Sequence, residues 1–258
     1  RWASFRGSRM GVTSMGRDCR GGPAIIHAGR AGTGIRVEWP PMSDSIQAGP
    51  AVGDLDRCRA VAQEVVEQAL RAGATAAEVA IGSGVGLSVE VRAGDVETIE
   101  HNRGHALAVT VYDGRRKGSA TSNDFSPAAL RESIGAALTI ARHGGEDEHA
   151  GLADTRYLAR DIPDLDLDHP ADFSAEEAVE TARACEAAAL GVDERITNSE
   201  GASCTRDRST SAYANSNGFC NGWTGTRYSV GASVLTGHGN SMQRAHWYGS
   251  GRVFAELE

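Results

Sequence analysis

The sequence predicts an α+β protein, and three observations lead to this fold class. Several stretches place apolar residues at helical spacing and carry capping residues at their ends. Between and after them lie runs in which apolar and polar residues alternate, which is typical of half-buried strands. Aromatic residues make up only 5% of the chain and glycine contributes 32 of its 258 residues. We therefore expect an N-terminal helix plus antiparallel meander domain, followed by the start of a larger, mainly antiparallel β domain.

The first predicted helix begins after Asp54, whose carboxylate suits an N-cap, and ends before Gly73. It has one apolar stripe, made of Leu55, Cys58, Ala62, Val65, Ala69 and Leu70.

A meander of short strands follows the first helix. The predicted strands are 77–81, 87–91, 96–100, 107–112 and 116–120. The predicted turns fall at Gly82-Ser83-Gly84, Ala93-Gly94-Asp95 and Asp113-Gly114. An Asp-Gly pair between alternating strands is a strong hairpin signal, so 107–112 and 116–120 are expected to pair directly.

Two further helices are predicted beyond the meander. Ser126-Pro127 supplies a capping residue and a proline at the first helical position of one, which ends near Gly144. Ser174 and Glu177 form a capping box for the other, which runs to about Leu190 and ends at Gly191. The acidic stretch 147–170 between them is expected to be an irregular connector.

The last part of the chain is predicted to be chiefly sheet, with strands at 195–197, 210–215, 227–236 and 242–248. We divide the chain into a leader (1–41), an N-terminal α/β domain (42–125), a helical and acidic connector region (126–192) and the start of a C-terminal β-rich domain (193–258). The leader is expected to be non-native sequence upstream of a natural start at Met42, with a disordered extension as the alternative.

Charge is distributed unevenly. The net charge is -8, but residues 1–41 contain seven Arg against Asp18 and Glu38, which leaves -13 on the remaining residues. An acidic body repels phosphate backbones and anionic membranes, so we expect no nucleic-acid and no membrane partner. The chain has five widely spaced cysteines, no CxxC pair and no long apolar run. This pattern favours a soluble protein in a reducing cytoplasm.

Candidate metal ligands are scattered. His101 and His105 have i, i+4 spacing, but they are predicted to lie in a solvent-facing loop between strands, where that spacing does not align them. The pairs His143/His149 and His238/His246 flank predicted turns and are interpreted as structural. Cys58 and Cys185 are expected to be buried on apolar helix faces, while Cys204 and Cys220 stay unassigned.

Three further motifs receive structural interpretations. The run Asp164–Asp168 places carboxylates as a calcium loop does, but His169 and Ala175 occupy the positions that require Gly and Glu. Leu165 and Leu167 are therefore interpreted as anchors of a solvated connector. The glycines of 82–86 precede a strand, not a helix, so they are not expected to bind phosphate. The basic run 115–117 is expected to be a solvated hairpin tip.

Several longer strings resemble one known family in order and spacing. They are 114–127 (GRRKGSATSNDFSP), 159–170, 195–202 (RITNSEGA) and 214–219 (ANSNGF). These strings are similar to the PmbA (TldE) branch of the TldD/PmbA family, and the likeness runs from about Asp54 to the end of the chain.

The resemblance implies a cytoplasmic protein that pairs with a TldD-like subunit to form a heterodimeric zinc metalloprotease. Such a protease acts on unfolded or extended peptides, including microcin precursors and antitoxins. In the family the partner holds the zinc through an HExxxH helix and a downstream cysteine. This sequence contains no HExxxH, but the branch assignment rests on the strings above. We therefore predict no catalytic residue and no metal ligand in this chain, leave substrate-binding residues unknown, and expect zinc on the partner chain. An independently active metallopeptidase and a non-enzymatic peptide-binding scaffold are the alternatives.

Overall fold

A single antiparallel sheet of six strands organises residues 49–257, the part of the chain that the computed structural model describes. The spatial order of the strands is β3-β2-β1-β4-β5-β6. The strands are β1 (Ala76–Arg92), β2 (Asp95–Asp113), β3 (Arg116–Ser122), β4 (Ile196–Asn215), β5 (Cys220–Thr236) and β6 (Gln243–Gly251). The helices are α1 (Leu55–Arg71), α2 (Pro127–His143) and α3 (Ala175–Leu190). The α+β fold class is thus confirmed, whereas the predicted leader 1–41 lies outside the described residues.

The central strands are longer than the sequence predicts. Gly82-Ser83-Gly84 does not form a turn, because β1 continues through it and pairs with β2 on one side and β4 on the other. The segments 96–100 and 107–112 are likewise parts of one strand, β2. Of the predicted strands 195–197 and 210–215, all residues except Arg195 belong to β4. Backbone hydrogen bonds to neighbours on both sides maintain an extended chain even where glycine has a weak intrinsic preference for strands.

Two predicted turns of the meander are confirmed. Ala93 and Gly94 connect β1 to β2, and both have positive φ, at 52° and 81°. Gly114 lies in the β2–β3 hairpin with φ 62°. Positive φ at the turn residues matches the twist of the flanking strands, which is why glycine is favoured there.

The strand β1 alternates between a buried row and an open row. The buried row faces the helices and consists of Ala77, Val79, Ile81, Ser83, Leu87, Val89 and Val91. All three described helices cover this same face. Leu87, Val89 and Val91 pack against α3. Gly118 pairs with Val111, which lies beside Ala77, and a Cβ at Gly118 would meet α2. A Cβ at Gly222, beside Ala212, would meet Leu55 of α1.

The ends of the helices follow the predicted capping chemistry. The Asp54 carboxylate accepts a hydrogen bond from the Arg57 amide at 3.1 Å, and the Ser126 hydroxyl accepts one from the Ala129 amide at 3.3 Å. The reciprocal bonds of the Ser174/Glu177 capping box are both formed. Four residues of the predicted stripe of α1 are buried: Cys58, Ala62, Val65 and Ala69. Leu55 is half-buried and Leu70 is 38% exposed, while Gln68 is buried instead.

A buried carboxylate on α3 holds the β1–β2 turn. Glu186 is 3% exposed and accepts hydrogen bonds of 2.8 Å from the amides of both Ala93 and Gly94. Burial acts to raise the pKa of the Glu186 carboxyl, but the bonds from Ser199 and from the turn amides, with the charge of Arg92, outweigh it and lower the pKa below its usual value. The charged form of Glu186 therefore connects α3 to the end of the first hairpin.

Two glycine-to-alanine substitutions should have opposite effects on stability. A Cβ at Gly118 would overlap the backbone of α2 at Ala137 and Ala141, whereas one at Gly135 of α2 meets nothing within 4 Å. We expect Gly118→Ala to lower the free energy of unfolding by about 1–3 kcal/mol through overpacking. Gly135→Ala should raise it by about 0.5–1 kcal/mol through helix propensity. Urea unfolding followed by circular dichroism measures both, and equal effects would contradict the close β3–α2 contact.

Candidate functional site

The face of the sheet opposite the helices is lined by small residues. On β1 it presents Ala80, Gly82, Gly84, Gly86 and Ser88, which are exposed or half-buried. The strand register places Gly104 and Ala106 of β2, and Ser209 and Ser211 of β4, beside them. Trp223 of β5, 54% exposed, lies next to Ser211. No helix among residues 49–257 packs on this open face, so the backbone of three strands is close to the surface.

A tyrosine–carboxylate network closes one end of the open face. The Glu78 carboxylate accepts hydrogen bonds from the hydroxyls of Tyr112 at 2.9 Å and Tyr213 at 2.5 Å. Burial, together with the bond to Glu78, raises the pKa of Tyr112 to about 12, and the same causes raise the pKa of Tyr213. Both tyrosines are therefore protonated donors at neutral pH. The network links β2, β1 and β4, and both tyrosine hydroxyls already donate to the Glu78 carboxylate. We therefore interpret it as structural and assign no general acid or base to it.

Both margins of the sheet present strand edges. The strand β3 pairs only with Leu107–Asp113 of β2, so the outer edge of β2 from Asp95 to Ala106 has no neighbouring strand among the described residues. At the other margin β6 pairs with β5 on its inner side, and most of its side chains are exposed. Trp247 and Tyr248 of β6 are 80% and 64% exposed. Unpaired backbone amides and carbonyls at such edges can pair with another extended chain.

The histidines that the structure describes do not converge. His101 and His105 lie within β2 and not in a loop as predicted, because the strand is continuous, but both are exposed as expected. His143 ends α2, where its Nδ1 lies 2.8 Å from the Thr139 carbonyl oxygen. Among residues 49–257 no group of three or more His, Cys, Asp and Glu side chains is placed to hold a metal ion.

The four described cysteines are poor nucleophiles in this structure. Cys58 is fully buried, as predicted, and Cys185 is half-buried against the α3 core. Burial raises the pKa of all four thiols, and that of Cys204 rises to about 11. Because the thiolate is the reactive and metal-binding form, these side chains suit packing and not catalysis.

The acidic run 164–168 is a connector that attaches to the sheet through its second half. Leu165 is 63% exposed, so its predicted role as an anchor is wrong; the peptide carbonyl of Leu167 is the anchor, accepting from the Thr226 amide at 2.9 Å. Arg208 of β4 donates from Nε and Nη2 to the two oxygens of Asp168, at 2.8 and 2.6 Å. This forked bond lowers the pKa of Asp168 and fixes the path of the chain into α3.

Further along the connector, the buried hydroxyl of Tyr228 donates to the His169 carbonyl at 3.0 Å and accepts from the Ala171 amide at 2.9 Å. Phe173 then packs edge-on against Tyr228, and its ring lies tilted against that of Phe254 at a centroid distance of 4.4 Å. Beside this aromatic group an open groove of about 470 Å³ is lined by Asp172, Phe173, Glu176, Glu177, Glu180, Thr181 and Phe254. Sequence reasoning missed this groove, although the acidic side chains of the first two turns of α3 are visible in the sequence.

Two family models match the chain. The model for PmbA/TldA metallopeptidase domain 1 matches residues 77–141, from the start of β1 nearly to the end of α2. The model for the PmbA/TldA metallopeptidase central domain matches residues 168–258, from Asp168 through β6. Together they match more than half of the chain. The chain belongs to the PmbA/TldA metallopeptidase family. The predicted relationship to the TldD/PmbA family is confirmed.

Named relatives agree with this assignment. The chain is 41% identical over 210 residues to the metalloprotease PmbA of Escherichia coli O157:H7, covering 80% of this chain and 47% of that protein. It is 40% identical over 193 residues to the PmbA homolog of Haemophilus influenzae, covering 75% and 43%. The chain therefore spans about half the length of the curated relatives it matches.

Solved structures share the fold. A crystal structure of a proposed modulator of DNA gyrase from Bacteroides thetaiotaomicron superposes with a TM-score of 0.70 at 30% identity, covering 78% of this chain and 46% of that one. TldE from Thermococcus kodakarensis gives a TM-score of 0.62 at 16% identity, covering 76% and 44%, which establishes a shared fold alone. Among residues 49–257 no helix has the length and apolar character that a membrane crossing requires.

The Arg208–Asp168 pair should stabilise the connector in a pH-dependent way. Both side chains are about one-third exposed, so we expect Asp168→Asn or Arg208→Lys to lower the free energy of unfolding by only about 1 kcal/mol at neutral pH. Because the folded-state pKa of Asp168 is depressed, its contribution is complete above the ordinary value of 3.8 and is lost as the pH falls through the depressed value.

The measurement is urea unfolding at pH 7 and pH 3, together with hydrogen exchange at the His169 amide, which should accelerate in both variants. Asp161→Asn, at an exposed connector carboxylate, is the matched control and should change neither quantity. Unchanged exchange at His169 in Arg208→Lys would show that the forked bond does not hold the connector.

Proposed function

We propose that this chain is the PmbA/TldE-type subunit of a cytoplasmic TldD–TldE zinc metalloprotease that acts on unfolded or extended peptides. The observation that carries the proposal is the combination of family membership with an exposed strand edge, β6, that bears two exposed aromatic side chains. In this assignment the chain contributes peptide-binding surface, while a TldD-like partner contributes the metal.

The proposed peptide-binding edge suits substrates without a fixed sequence. An extended peptide that adds to a strand edge makes backbone hydrogen bonds, which every sequence offers, and only an unfolded segment exposes its backbone for them. Trp247 and Tyr248 lie on opposite faces of β6, because neighbouring side chains of a strand alternate. Each can cover alternate side chains of the peptide, which adds affinity with little sequence demand.

The described residues do not fit a zinc site. Zinc in proteins is held by thiolate, imidazole and carboxylate ligands that converge within a few ångströms. The described cysteines have raised pKa values because of burial, and the histidines within residues 49–257 lie apart on α2, β2, β6 and the connecting segments. We therefore assign no hydrolytic step to these residues, and the proposal places zinc and the activation of water on the partner chain.

Reconstitution tests the proposal. The full-length protein and a TldD-like subunit from the same organism are purified separately and together, and zinc content and cleavage of an extended fluorogenic peptide are measured. We expect stable association, cleavage only by the mixture, and zinc only in preparations that contain the partner. Stoichiometric zinc and cleavage in this protein alone would identify an independent metallopeptidase. Retained peptide without cleavage in any combination would identify a non-enzymatic scaffold.

The aromatic side chains of β6 provide a sharper test within the active complex. We expect the double variant Trp247→Ala/Tyr248→Ala to raise KM about tenfold and leave kcat unchanged. The reason is that the two aromatic side chains would bind substrate and transition state equally. About 1.4 kcal/mol of lost contact corresponds to that factor. Tyr157→Ala, which removes a tyrosine that is 79% exposed on the connector, is the control. Equal KM and kcat in the wild type, the double variant and Tyr157→Ala would show that β6 is not part of the peptide-binding surface.

A further inference from the structure

The connector between α2 and α3 is a long exposed segment with little regular structure. Between residues 147 and 170 it contains one regular element, the 3-10 helix Thr155–Tyr157. Every residue from 153 to 166 is exposed except Leu158, which is half-buried. Connections of this length without regular structure are uncommon in compact domains, and those that occur are usually functional.

The two ends of the connector are attached to the sheet, whereas its middle is not. Near one end, Asn217 Nδ2 donates to the Ala153 carbonyl at 2.9 Å, and near the other the attachments begin at the Leu167 carbonyl. Between residues 158 and 166 no backbone group is hydrogen-bonded to a strand or an α-helix among residues 49–257. Proteases bind their substrates in extended form, so an exposed backbone without such bonds is a favoured target.

Two arginines lie in the exposed part of the connector, and they differ in their surroundings. Arg156 belongs to the 3-10 helix, and it donates from Nε and Nη2 to the Asp154 carboxylate at 3.1 and 2.9 Å. Arg160 is exposed, and its side chain has no ion pair or hydrogen bond with any residue from 49 to 257. A protease that selects arginine binds the guanidinium in a pocket. It can bind Arg160 without breaking an existing contact.

The basic tip of the β2–β3 hairpin is a poorer target. Arg115 lies in a tight turn whose flanking strands pair as far as Asp113 and Arg116. The Arg115 carbonyl also accepts a hydrogen bond from the Asp147 amide at 2.9 Å. A protease would have to break strand pairs before it could extend this turn, and that opening slows cleavage.

Both sides of the connector contribute strands to one sheet. The strands β1–β3 precede it and β4–β6 follow it, and β1 pairs with β4 from Glu78–Asn215 to Val91–Ala202. The helices cross the same boundary, since Glu186 of α3 binds the β1–β2 turn and the end of β1 packs against α3. A cut in the connector therefore removes no strand pair and no part of the core.

We propose that the connector is a site of proteolytic processing, cut after Arg160 by proteases that select arginine, and that the two products stay folded together. The reaction is hydrolysis of the peptide bond between Arg160 and Asp161. Water adds across this bond and leaves a carboxylate on Arg160 and an amino group on Asp161. The second product keeps the Arg208–Asp168 pair and the Tyr228 bonds that hold the start of α3. The inference requires neither peptide cleavage by this protein nor a partner chain.

Limited trypsin digestion of the full chain tests the position of the cut. N-terminal sequencing and mass spectrometry identify every cut between residues 49 and 257, and we expect the first to fall after Arg160. Arg160→Gln should lengthen the half-life of the intact segment 49–257 about tenfold or more, because the next sites require the 3-10 helix or a strand pair to open. Arg156→Gln is the matched control and should leave the half-life unchanged. A first cut after Arg156 or Arg115, or equal protection by both variants, would overturn the assignment.

The association of the two products is tested on the digested wild type. We expect both fragments to elute together as one species in size-exclusion chromatography and to separate in urea. The urea midpoint of the cut form should rise with protein concentration, whereas that of the uncut chain should not, because only the cut form dissociates when it unfolds. Fragments that separate in native buffer, or a midpoint of the cut form that is independent of concentration, would show that the shared sheet does not hold the products together.

Discussion

The pairing of β1 with β4 is the interaction on which the rest of this structure depends. It joins segments more than a hundred residues apart, from Glu78 with Asn215 to Val91 with Ala202, into one register. Because antiparallel partners share a face, this register aligns the apolar rows of both strands and creates the surface on which α1 and α3 pack. The same pairing brings Tyr213 beside Glu78 and Arg208 within reach of Asp168. A slip of one residue would invert these relationships, since it would exchange the two faces of the strand.

One-sided packing explains where the molecule can interact. The described helices cover one face and leave a surface of glycine, alanine and serine on the other. At the margins, two strand edges have no neighbouring strand within the part of the chain that the structure describes. The edges differ in chemistry: β6 carries exposed aromatic side chains, whereas β2 carries separated charges. This difference is the physical basis for assigning an extended peptide to β6. Family membership supplies the enzymatic context. Arg208 and Tyr228 hold the connector that leads into α3, and so they fix the start of that helix.

Local signals in the sequence specified the helices and the tight turns well. Asp54, Ser126 and the Ser174/Glu177 pair mark helix starts because a side chain next in sequence satisfies the free amides of the first turn. Gly114 marks its hairpin because positive φ is a property of a single residue. The resemblance of several strings to the family was also readable directly, and the family models cover the strings 195–202 and 214–219 in full and 114–127 in full.

Interactions between distant segments decided the features of the fold that the sequence did not predict. The sequence alone determined the fold class, the helix ends, the Asp-Gly hairpin and the family, because each follows from neighbouring residues or from linear patterns. Only the tertiary structure decided that β1 continues through Gly82-Ser83-Gly84 and that Glu186 turns inward to bind the β1–β2 turn. It also decided that no strand among residues 49–257 pairs with the outer edges of β6 and of the first half of β2. A glycine is extended or forms a turn according to the strands beside it. A carboxylate is buried only where amides from a distant segment donate hydrogen bonds to it. Those partners are set by the packing of the whole sheet, which no local pattern contains.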